Sequence, residues 1–287
     1  MADEINWFPG HMKKALRSVS EQIKWVDVVI ETADARIPFS SRNPELDALI
    51  RNKPRVLVLN KADLADPQIT SKWMETYKES DLSAVACDAI HKKGLNQLKI
   101  ICKSLCSQII EKSKEKGRIG RPIRAMVVGI PNSGKSTLIN SLCNRKVAVT
   151  RDQPGVTRGF QWAKTGSDFE LMDMPGILWP KLGTRKSQIC LTMTGAVRME
   201  IVNIQDVAIE AFSLLFSIYP KEMCSRFRLP PLESEDFPKD IYSIFLLAAR
   251  KRGCLLSGDR VDEERFSNVF LEDYRSGRIG CLSLERP

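Results

Sequence analysis

At 287 residues the chain can hold one large domain or two ordinary ones, and 43% hydrophobic residues are enough to build apolar cores. No apolar run approaches the length of a membrane span, and the opening residues MADEINWFPGHMKK lack both the apolar stretch of a signal peptide and the acid-poor character of a transit peptide. These features argue against membrane and exported proteins. We therefore expect a cytoplasmic globular protein, taken as a monomer, with no membrane partner.

The net charge of +9 is unevenly distributed. Residues 1–186 carry 31 basic and 20 acidic side chains, whereas residues 187–287 carry 13 and 15. The basic surplus favours a polyanion such as RNA as a partner, although a solvated face that only aids solubility would have the same composition. The eight cysteines are dispersed without a CxxC motif, so we expect reduced core thiols and no zinc or redox site.

The first predicted elements are a helix over residues 12–24 and a buried strand over residues 26–34, which is rich in β-branched residues. The loop ARIPFSSRNP follows at the carboxyl end of this strand, where open α/β sheets bind their ligands. The loop is therefore either functional or a polar surface turn. Its polar residues are Arg36, Ser40, Ser41, Arg42 and Asn43.

A second buried strand, residues 55–60, leads into the motif NKAD. The carboxylate of Asp63 can accept hydrogen bonds from the N1–H and the exocyclic amine of guanine, and adenine offers neither donor at those edges. Asn60 would brace a neighbouring loop, and the stem of Lys61, next to Ala62, would lie along the base. NKAD alone is a weak signal, but beside a phosphate-binding loop it indicates GTP.

A helix over residues 67–78 and a strand over residues 82–87 come next. The loop CDAIHKKG then contains backbone N–H groups, near Asp88 and Ala89, that could reach guanine O6. Residues 94–116 form a predicted amphipathic helix that packs on the sheet. Its apolar face consists of Leu95, Leu98, Cys102, Leu105 and Ile109. A basic Gly/Pro linker, KEKGRIGRP, leads on to the strand RAMVVG.

The stretch GIPNSGKST, residues 129–137, fits the phosphate-binding pattern GxxxxGK followed by Ser or Thr, between a predicted strand and a predicted helix. Gly129 and Gly134 let the backbone fold round phosphates with its N–H groups inward, and Lys135 supplies a positive charge. Ser136 presents its hydroxyl to Mg²⁺, and the positive end of the helix faces the phosphates. The predicted nucleotide-binding residues here are Asn132, Ser133, Gly134, Lys135, Ser136 and Thr137.

Two weaker motifs follow the P-loop in the order that a GTPase switch requires. Thr157, in RDQPGVTRG, is the candidate second ligand of Mg²⁺ and the γ-phosphate, and DMPG fits the pattern DxxG. Asp173 would hold a Mg²⁺-bound water, and the N–H of Gly176 would sense the γ-phosphate. Each motif is weak alone, because Thr157 could be a strand-entry threonine and DMPG could be a turn.

The order of these motifs is rotated, because NKAD comes before the P-loop, whereas a conventional GTPase has the P-loop first. Circular permutation of a domain with neighbouring termini produces such an order. The predicted fold class is α/β: a circularly permuted P-loop GTPase domain over residues 1–185, with a mostly parallel sheet and flanking helices. The switch would end that domain and pass its motion to residues 186–287, where helical spacing predicts a small all-α domain.

The chain resembles the circularly permuted GTPases, and within them the ribosome biogenesis GTPase A family, over essentially its whole length. The resemblance rests on WFPGHM, DARIPFSSRNP, NKAD, GIPNSGKSTLIN, PGVT, DMPGILWP and KRGCLLSG. It implies a bacterial GTPase that binds GTP or GDP with Mg²⁺, contacts the rRNA and proteins of the large ribosomal subunit, assists its late maturation and leaves after hydrolysis. It also implies RNA binding by residues 186–287, although their net negative charge argues against a uniformly basic face. Ser133 and Met174 depart from the family's usual Val and Thr.

Ile177 stands where small GTPases commonly have a water-orienting Gln just after DxxG. Isoleucine cannot orient water, so we expect slow intrinsic hydrolysis that another group or an activating partner completes. The resemblance points to His11, in WFPGHM, as that catalyst once the ribosome orders the N-terminal segment. The alternative is that His11 only anchors the N-terminus. Asn132 likewise resembles the asparagine by which several relatives hold K⁺ near the β- and γ-phosphates.

Two other function classes are compatible with parts of the sequence. In a GTP-dependent binding module, GTP would order an RNA- or protein-binding surface and hydrolysis would be incidental, and Ile177 keeps this alternative open. An ATP-using P-loop kinase conflicts with NKAD. Arg250, Lys251 and Arg252 could touch phosphates or form a solvated helix end.

Overall fold

The computed structural model describes residues 10–50, 52–118, 120–148, 161–166, 168–199 and 202–287. A six-stranded sheet lies at its centre. The strands are β1 (Val28–Asp34), β2 (Arg55–Asn60), β3 (Ser83–Cys87), β4 (Ile123–Gly129), β5 (Gln161–Thr165) and β6 (Phe169–Asp173). Their order is β3-β2-β1-β4-β6-β5, and every neighbouring pair is parallel except the edge strand β5, which is antiparallel to β6. The predicted mostly parallel α/β fold is confirmed.

Helices alternate with the strands in the first part of the chain, and the C-terminal part is helical. The first part of the chain contains α1 (Gly10–Gln22), α2 (Pro44–Ile50), α3 (Pro67–Glu79), α4 (Leu95–Leu105), α5 (Ser107–Glu115) and α6 (Lys135–Cys143). The C-terminal part contains α7 (Arg185–Met193), α8 (Ile204–Ile218), α9 (Pro220–Phe227), α10 (Ile241–Lys251) and α11 (Glu263–Arg275). Within the described ranges, no helix is both long and apolar enough to cross a bilayer.

Burial on both faces explains the composition of the central strands. Every residue of β1 is buried, and β2 is buried after its first residue, Arg55. Strands covered by helices on both faces are nearly continuous apolar runs, which is why VVIETAD and RVLVLN are readily recognised in the sequence. The structure reproduces the predicted strand over residues 55–60 without a shift of either end.

The carboxyl ends of the parallel strands meet at one edge of the sheet, and each predicted motif lies there. NKAD starts at the end of β2, the P-loop at the end of β4, and DMPG at the end of β6. The chain places β2 and β3 on one side of β1 and then places β4 and β6 on the other, so a topological switch point lies between β1 and β4. Open α/β sheets bind ligands at such a point.

The structure corrects three details of the sequence interpretation. The helix predicted over residues 94–116 is two helices, α4 and α5, because the apolar face that packs on the sheet ends at Cys106, and α5 has no buried residue. The first helix starts and ends two residues earlier than predicted, and a turn of 3₁₀-helix over residues 23–25 follows it. The prediction that all cysteines are core thiols is wrong for Cys281, which is exposed.

The C-terminal helices pack around Phe212 of α8. Its ring lies 5.4 Å from the rings of Phe245 and Phe270, and edge-to-face pairs of this kind add to the energy of apolar burial. The predicted helical C-terminal part is therefore confirmed. The same apolar cluster takes Ile37 and Ile130 from loops of the sheet part. The division of the chain between residues 185 and 186 stays a prediction, since one continuous core extends across it.

Candidate nucleotide-binding site

Two glycines give the P-loop its shape. Gly134 has φ +85°, and a Cβ there would lie 2.2 Å from Nδ2 of Asn60. Gly129 has φ +150°, and a Cβ there would lie 2.4 Å from the carbonyl oxygen of Thr32. Both positions therefore exclude a side chain, and the loop between them, here called the cradle, leads into α6.

NKAD and the P-loop are joined directly, although they are distant in the sequence. Nδ2 of Asn60 donates a 3.0 Å hydrogen bond to the carbonyl of Ser133. The hydroxyl of Ser133 is buried 2.6 Å from the hydroxyl of Thr32 on β1. Serine is accommodated there because it also donates to the carbonyl of Ile130 at 3.0 Å.

Lys135 is a buried cation at the centre of the cradle. Its Nζ donates to the carbonyl of Ile130 at 2.7 Å. Burial lowers the pKa of Lys135 to about 8, although the carboxylate of Asp173 favours the charged form. A phosphate placed beside this ammonium group would favour its charged form and raise its pKa, so the local electrostatics suit an anionic ligand.

Ser136 and Asp173 meet on the other side of the cradle. The hydroxyl of Ser136 donates to Oδ2 of Asp173 at 3.1 Å. Oδ1 of Asp173 is buried and has no hydrogen-bond partner among the described residues, and burial raises the pKa of this carboxyl group. An unsatisfied carboxylate oxygen beside a hydroxyl is a suitable oxygen donor set for Mg²⁺. Thr157, the other predicted ligand, lies outside the described residues.

The DMPG segment packs against the P-loop without space between them. A Cβ on Gly176 would lie 2.7 Å from the backbone of Pro131 and 3.1 Å from Nζ of Lys135. The next residue, Ile177, is 1% exposed, its N–H donates to the carbonyl of Gly129, and its carbonyl accepts a bond from Asn43. Ile177 is therefore part of the core and does not face the cradle.

The base side of the site is built from the loops after β2 and β3. Lys61 adopts φ +58°, which is uncommon outside glycine, and its Nζ lies 3.1 Å from Oδ2 of Asp34. Burial and the nearby carboxylate of Asp88 raise the pKa of Asp63. Burial acts on Asp88 in the same way, but hydrogen bonds from His91 more than offset it, so the pKa of Asp88 is lowered. The side chains of Asp63, Asp88 and His91 lie within 4.8 Å of one another on this side of the site. The role of Asp63 in base recognition stays a prediction.

The remaining predicted residues lie near the P-loop and the loops after β2 and β3. Ala89 is buried, and its carbonyl accepts a 2.5 Å bond from Ser141 on α6, which fixes the loop predicted to reach guanine O6. Asn132 has φ +58°, and its Nδ2 donates to the carbonyl of Gly195 at 2.7 Å. The backbone of His11 belongs to α1, and its side chain lies outside the described residues. The catalytic role of His11 stays a prediction.

Sequence reasoning missed how the loop over residues 36–43 is used. Most of its polar side chains are buried, so the surface-turn alternative is wrong. The carboxylate of Glu285 accepts hydrogen bonds from the backbone N–H groups of Phe39 and Ser40 at 2.8 and 3.0 Å. No motif or periodicity marks Glu285, so nothing in the sequence pointed to this contact.

Comparisons with known proteins identify the family of the chain. The family described as 50S ribosome-binding GTPase matches residues 124–216. Ribosome biogenesis GTPase A of Priestia megaterium is 45% identical over 284 residues, which cover 99% of this chain and 97% of that protein. The protein of the same name from Thermotoga maritima is 31% identical, with 99% and 95% covered. The crystal structure of GNP-bound YlqF from T. maritima aligns with a TM-score of 0.68 at 26% identity, covering 96% of this chain and 98% of that one. The chain therefore belongs to the ribosome biogenesis GTPase A family and is a guanine-nucleotide-binding GTPase of ribosome biogenesis.

Proposed function

We propose that this GTPase is an assembly factor that binds the immature large ribosomal subunit when loaded with GTP, promotes its late maturation and is released after hydrolysis. The observation that carries the proposal is the hydrogen bond between Asn60 and Ser133, which makes base recognition and phosphate binding parts of one site. Its partners are the rRNA and proteins of that subunit, and with such a partner the protein acts in the cytoplasm, as a monomer.

Each group of the site has a role in phosphoryl transfer. Lys135 and the inward N–H groups of the P-loop hold the β- and γ-phosphates, and Ser136 with Asp173 would hold Mg²⁺, which neutralises phosphate charge when bound. Gly176, which packs against Pro131 of the P-loop, would present its N–H to the γ-phosphate. Positive charge that is in place before the reaction stabilises the transition state without reorganisation.

The buried position of Ile177 leaves the attacking water without an orienting group at that point. The proposed catalyst is His11, which the large subunit would bring to the γ-phosphate together with the switch loops. Two observations support a role for the segment that contains it. His11 belongs to the first turn of α1, and the neighbouring Met12 is buried in the core of the C-terminal helices. A partner that binds those helices can therefore affect the position of α1.

A basic cleft on the C-terminal helices is the proposed contact for rRNA. It has a volume of about 550 Å³. Its basic lining residues are Lys221, Arg226, Arg228, Arg252 and Arg278. The guanidinium groups of Arg226, Arg252 and Arg278 lie 2.8 to 3.5 Å from one buried carboxylate, that of Asp273. Glu222 also lines the cleft, and Glu272 lies 3.4 Å from Arg278, so five basic side chains are set against three acidic ones. The remaining excess of positive charge suits backbone phosphates.

The members of the basic cluster Arg250, Lys251 and Arg252 do not all belong to the cleft. Arg252 faces the cleft, whereas Arg250 forms a 2.7 Å ion pair with the exposed Asp259.

The second candidate function, a binding module in which hydrolysis is incidental, is favoured by the burial of Ile177 alone. GTP-dependent binding to the large subunit without turnover would support that candidate.

Guanine selectivity is tested by Asp63→Asn. An amide cannot accept both guanine donors but can donate to the O2 carbonyl of xanthine, so GTP affinity is expected to fall about a hundredfold while XTP affinity rises. Competition of GTP, XTP and ATP against a fluorescent guanine nucleotide measures both changes. Glu75→Gln, on the exposed face of α3, is the matched carboxyl-to-amide control. Unchanged GTP affinity in Asp63→Asn, or ATP preference in the wild type, would refute the assignment.

Subunit-stimulated hydrolysis tests the proposed function and the role of His11 together. Large subunits should accelerate GTP turnover by the wild-type protein, and His11→Ala should keep GTP affinity while its stimulated rate falls about a hundredfold, as is typical for loss of an acid–base or water-orienting group. Glu21→Ala, exposed on the same helix, is the control. Equal stimulated rates for wild type and His11→Ala would remove His11 from the mechanism, and no stimulation of the wild type would favour the binding module.

The proposed K⁺ site at Asn132 predicts that GTP hydrolysis is faster in K⁺ than in Na⁺ buffers at equal ionic strength. The carbonyl oxygen Oδ1 of Asn132 is the atom that would ligate a cation, because the amide nitrogen, which donates to Gly195, is only a donor. Asn132→Ala should therefore abolish the difference between the two salts. Equal wild-type rates in the two buffers would contradict the prediction.

The basic cleft predicts salt-dependent binding of the large subunit. Arg278→Ala should weaken binding and reduce the slope of log affinity against log salt by about one, because one phosphate contact is lost. Nucleotide affinity should not change. Arg250→Ala serves as the matched control, since its partner is an exposed aspartate outside the cleft. If the two variants lose the same affinity, the cleft is not the contact.

A further inference from the structure

The C-terminal tail, defined as residues 281–285, lies along the loop after β2, residues 61–66, which is called the guanine-reading loop because it contains Asp63. The N–H of Leu282 donates to the carbonyl of Leu64 at 3.1 Å, and the thiol of Cys281 donates to the carbonyl of Asp63 at the same distance. The hydroxyl of Ser283 accepts the N–H of Asp66 at 3.1 Å. Three consecutive residues of the tail therefore fix the backbone that presents the carboxylate of Asp63.

The tail is held on its other side by the C-terminal helices. The hydroxyl of Tyr219, at the end of α8, donates to the carbonyl of Ser283 at 3.2 Å and accepts the N–H of the same residue at 3.1 Å. The N–H of Leu284 donates to the carbonyl of Arg36 at 2.9 Å. The backbone of the C-terminal tail thus connects the guanine-reading loop to the C-terminal helices.

A second connection runs through the side chain of Arg36. Its Nε and Nη2 bind the two carboxylate oxygens of Asp34 at 2.9 and 2.8 Å. Its Nη1 donates to the carbonyls of Tyr274 and Arg275, at 3.3 Å each, and the group lies over the ring of Tyr274. A cation that bonds the last carbonyls of α11 is in the favourable position relative to the helix dipole. Arg36 is 1% exposed, so no water competes for these bonds.

Asp34 links this arginine to the base site. Its Oδ2 accepts bonds from Arg36 at 2.8 Å and from Nζ of Lys61 at 3.1 Å. The position of the Lys61 side chain, whose stem is predicted to lie along the base, therefore depends on the arginine that caps α11. On the phosphate side, Arg275 donates to the carbonyls of Thr192 and Met193 at the end of α7, close to the Gly195 carbonyl that holds the P-loop.

We propose that Arg36 is a positioning residue for guanine recognition, and that it and the C-terminal tail couple nucleotide occupancy to the docking of α11. The proposal rests on base recognition by Asp63. Coupling is reciprocal, so a bound guanine nucleotide holds the tail in place, and a partner that displaces α11 or the tail lowers the affinity for the nucleotide.

Base discrimination by Arg36→Lys is the first test. Lysine keeps the charge opposite Asp34 but lacks the planar group that reaches the carboxylate and both α11 carbonyls at once. GDP affinity should fall about tenfold, within the usual range of coupling, while affinity for IDP, which lacks the amine that Asp63 reads, falls less. The GDP/IDP affinity ratio should therefore drop. Ser283→Ala, which removes only the acceptor of the Asp66 N–H, should lower the same ratio to a smaller extent.

Arg55→Lys is the matched control, because Arg55 pairs with Glu31 at the opposite end of β2 from the guanine-reading loop. This control should leave the GDP/IDP ratio at the wild-type value. A merely structural role for Arg36 would lower the unfolding temperature of Arg36→Lys but leave the ratio of the folded protein unchanged, and that result would overturn the proposal. Loss of GDP binding by the wild type itself would instead refute the proposed function.

The reciprocal effect is measured on the wild-type protein, so it does not depend on the folding of a variant. Cys281 is the exposed thiol of the chain, and it bonds to the backbone of Asp63. Saturating GDP should slow the alkylation of Cys281 by N-ethylmaleimide at least about fivefold. Mass spectrometry of the peptide that contains Cys281 measures the alkylation rate. The protection should be weaker in Ser283→Ala. Equal alkylation rates with and without GDP would overturn the proposal.

Discussion

The site depends on one buried contact, in which the Asn60 amide donates to the Ser133 carbonyl beside Gly134. It joins the motif predicted to select the base to the loop predicted to hold the phosphates, and any Cβ at Gly134 would lie 2.2 Å from the same amide nitrogen. Loss of such a buried donor costs about 1 to 3 kcal/mol. The contact requires that β2, β1 and β4 be neighbours in the sheet and is indifferent to the order of the motifs along the chain. Circular permutation can therefore rotate the sequence and leave the site unchanged.

Sequence reasoning located NKAD and the P-loop because each follows a short, valine-containing apolar run that favours a buried strand, whereas DMPG follows FELMD and was recognised from its own pattern and its order after the P-loop. The contacts between Asn60 and Ser133, and between Ser136 and Asp173, follow from that placement. The contact of Glu285 with the loop at Phe39 does not follow, because the tail is short, has no periodicity and meets residues far away in the sequence. Local patterns predict elements and the edge on which a ligand binds, whereas contacts between irregular segments depend on the assembled fold.

The Asp34 carboxylate shows why an apparently polar loop is buried. Burial raises its pKa, but the charges and hydrogen bonds of Arg36 and the charge of Lys61 more than offset this effect, and its pKa lies well below the ordinary range. A buried ion of this kind costs several kcal/mol in desolvation unless its partners are well placed. Here the partners are Lys61 and an arginine that also caps α11, so the packing of the C-terminal helices helps to hold the arginine that neutralises Asp34.

The segment predicted to act as a switch, which begins at Asp173, is anchored in two apolar clusters by the consecutive residues Ile177 and Leu178. Ile177 lies in the cluster that covers the sheet, with Met126 and Val128, whereas Leu178 lies in the cluster of the C-terminal helices. Gly176, which is in contact with the P-loop, immediately precedes them. Closely packed cores respond to a displacement by changing between discrete arrangements and do not deform gradually. If Gly176 contacts the γ-phosphate as predicted, a shift of this residue on hydrolysis would be transmitted to the helical part. In a chain whose permutation places these helices directly after the switch, the same short segment can both sense the nucleotide and move the surface that a partner binds.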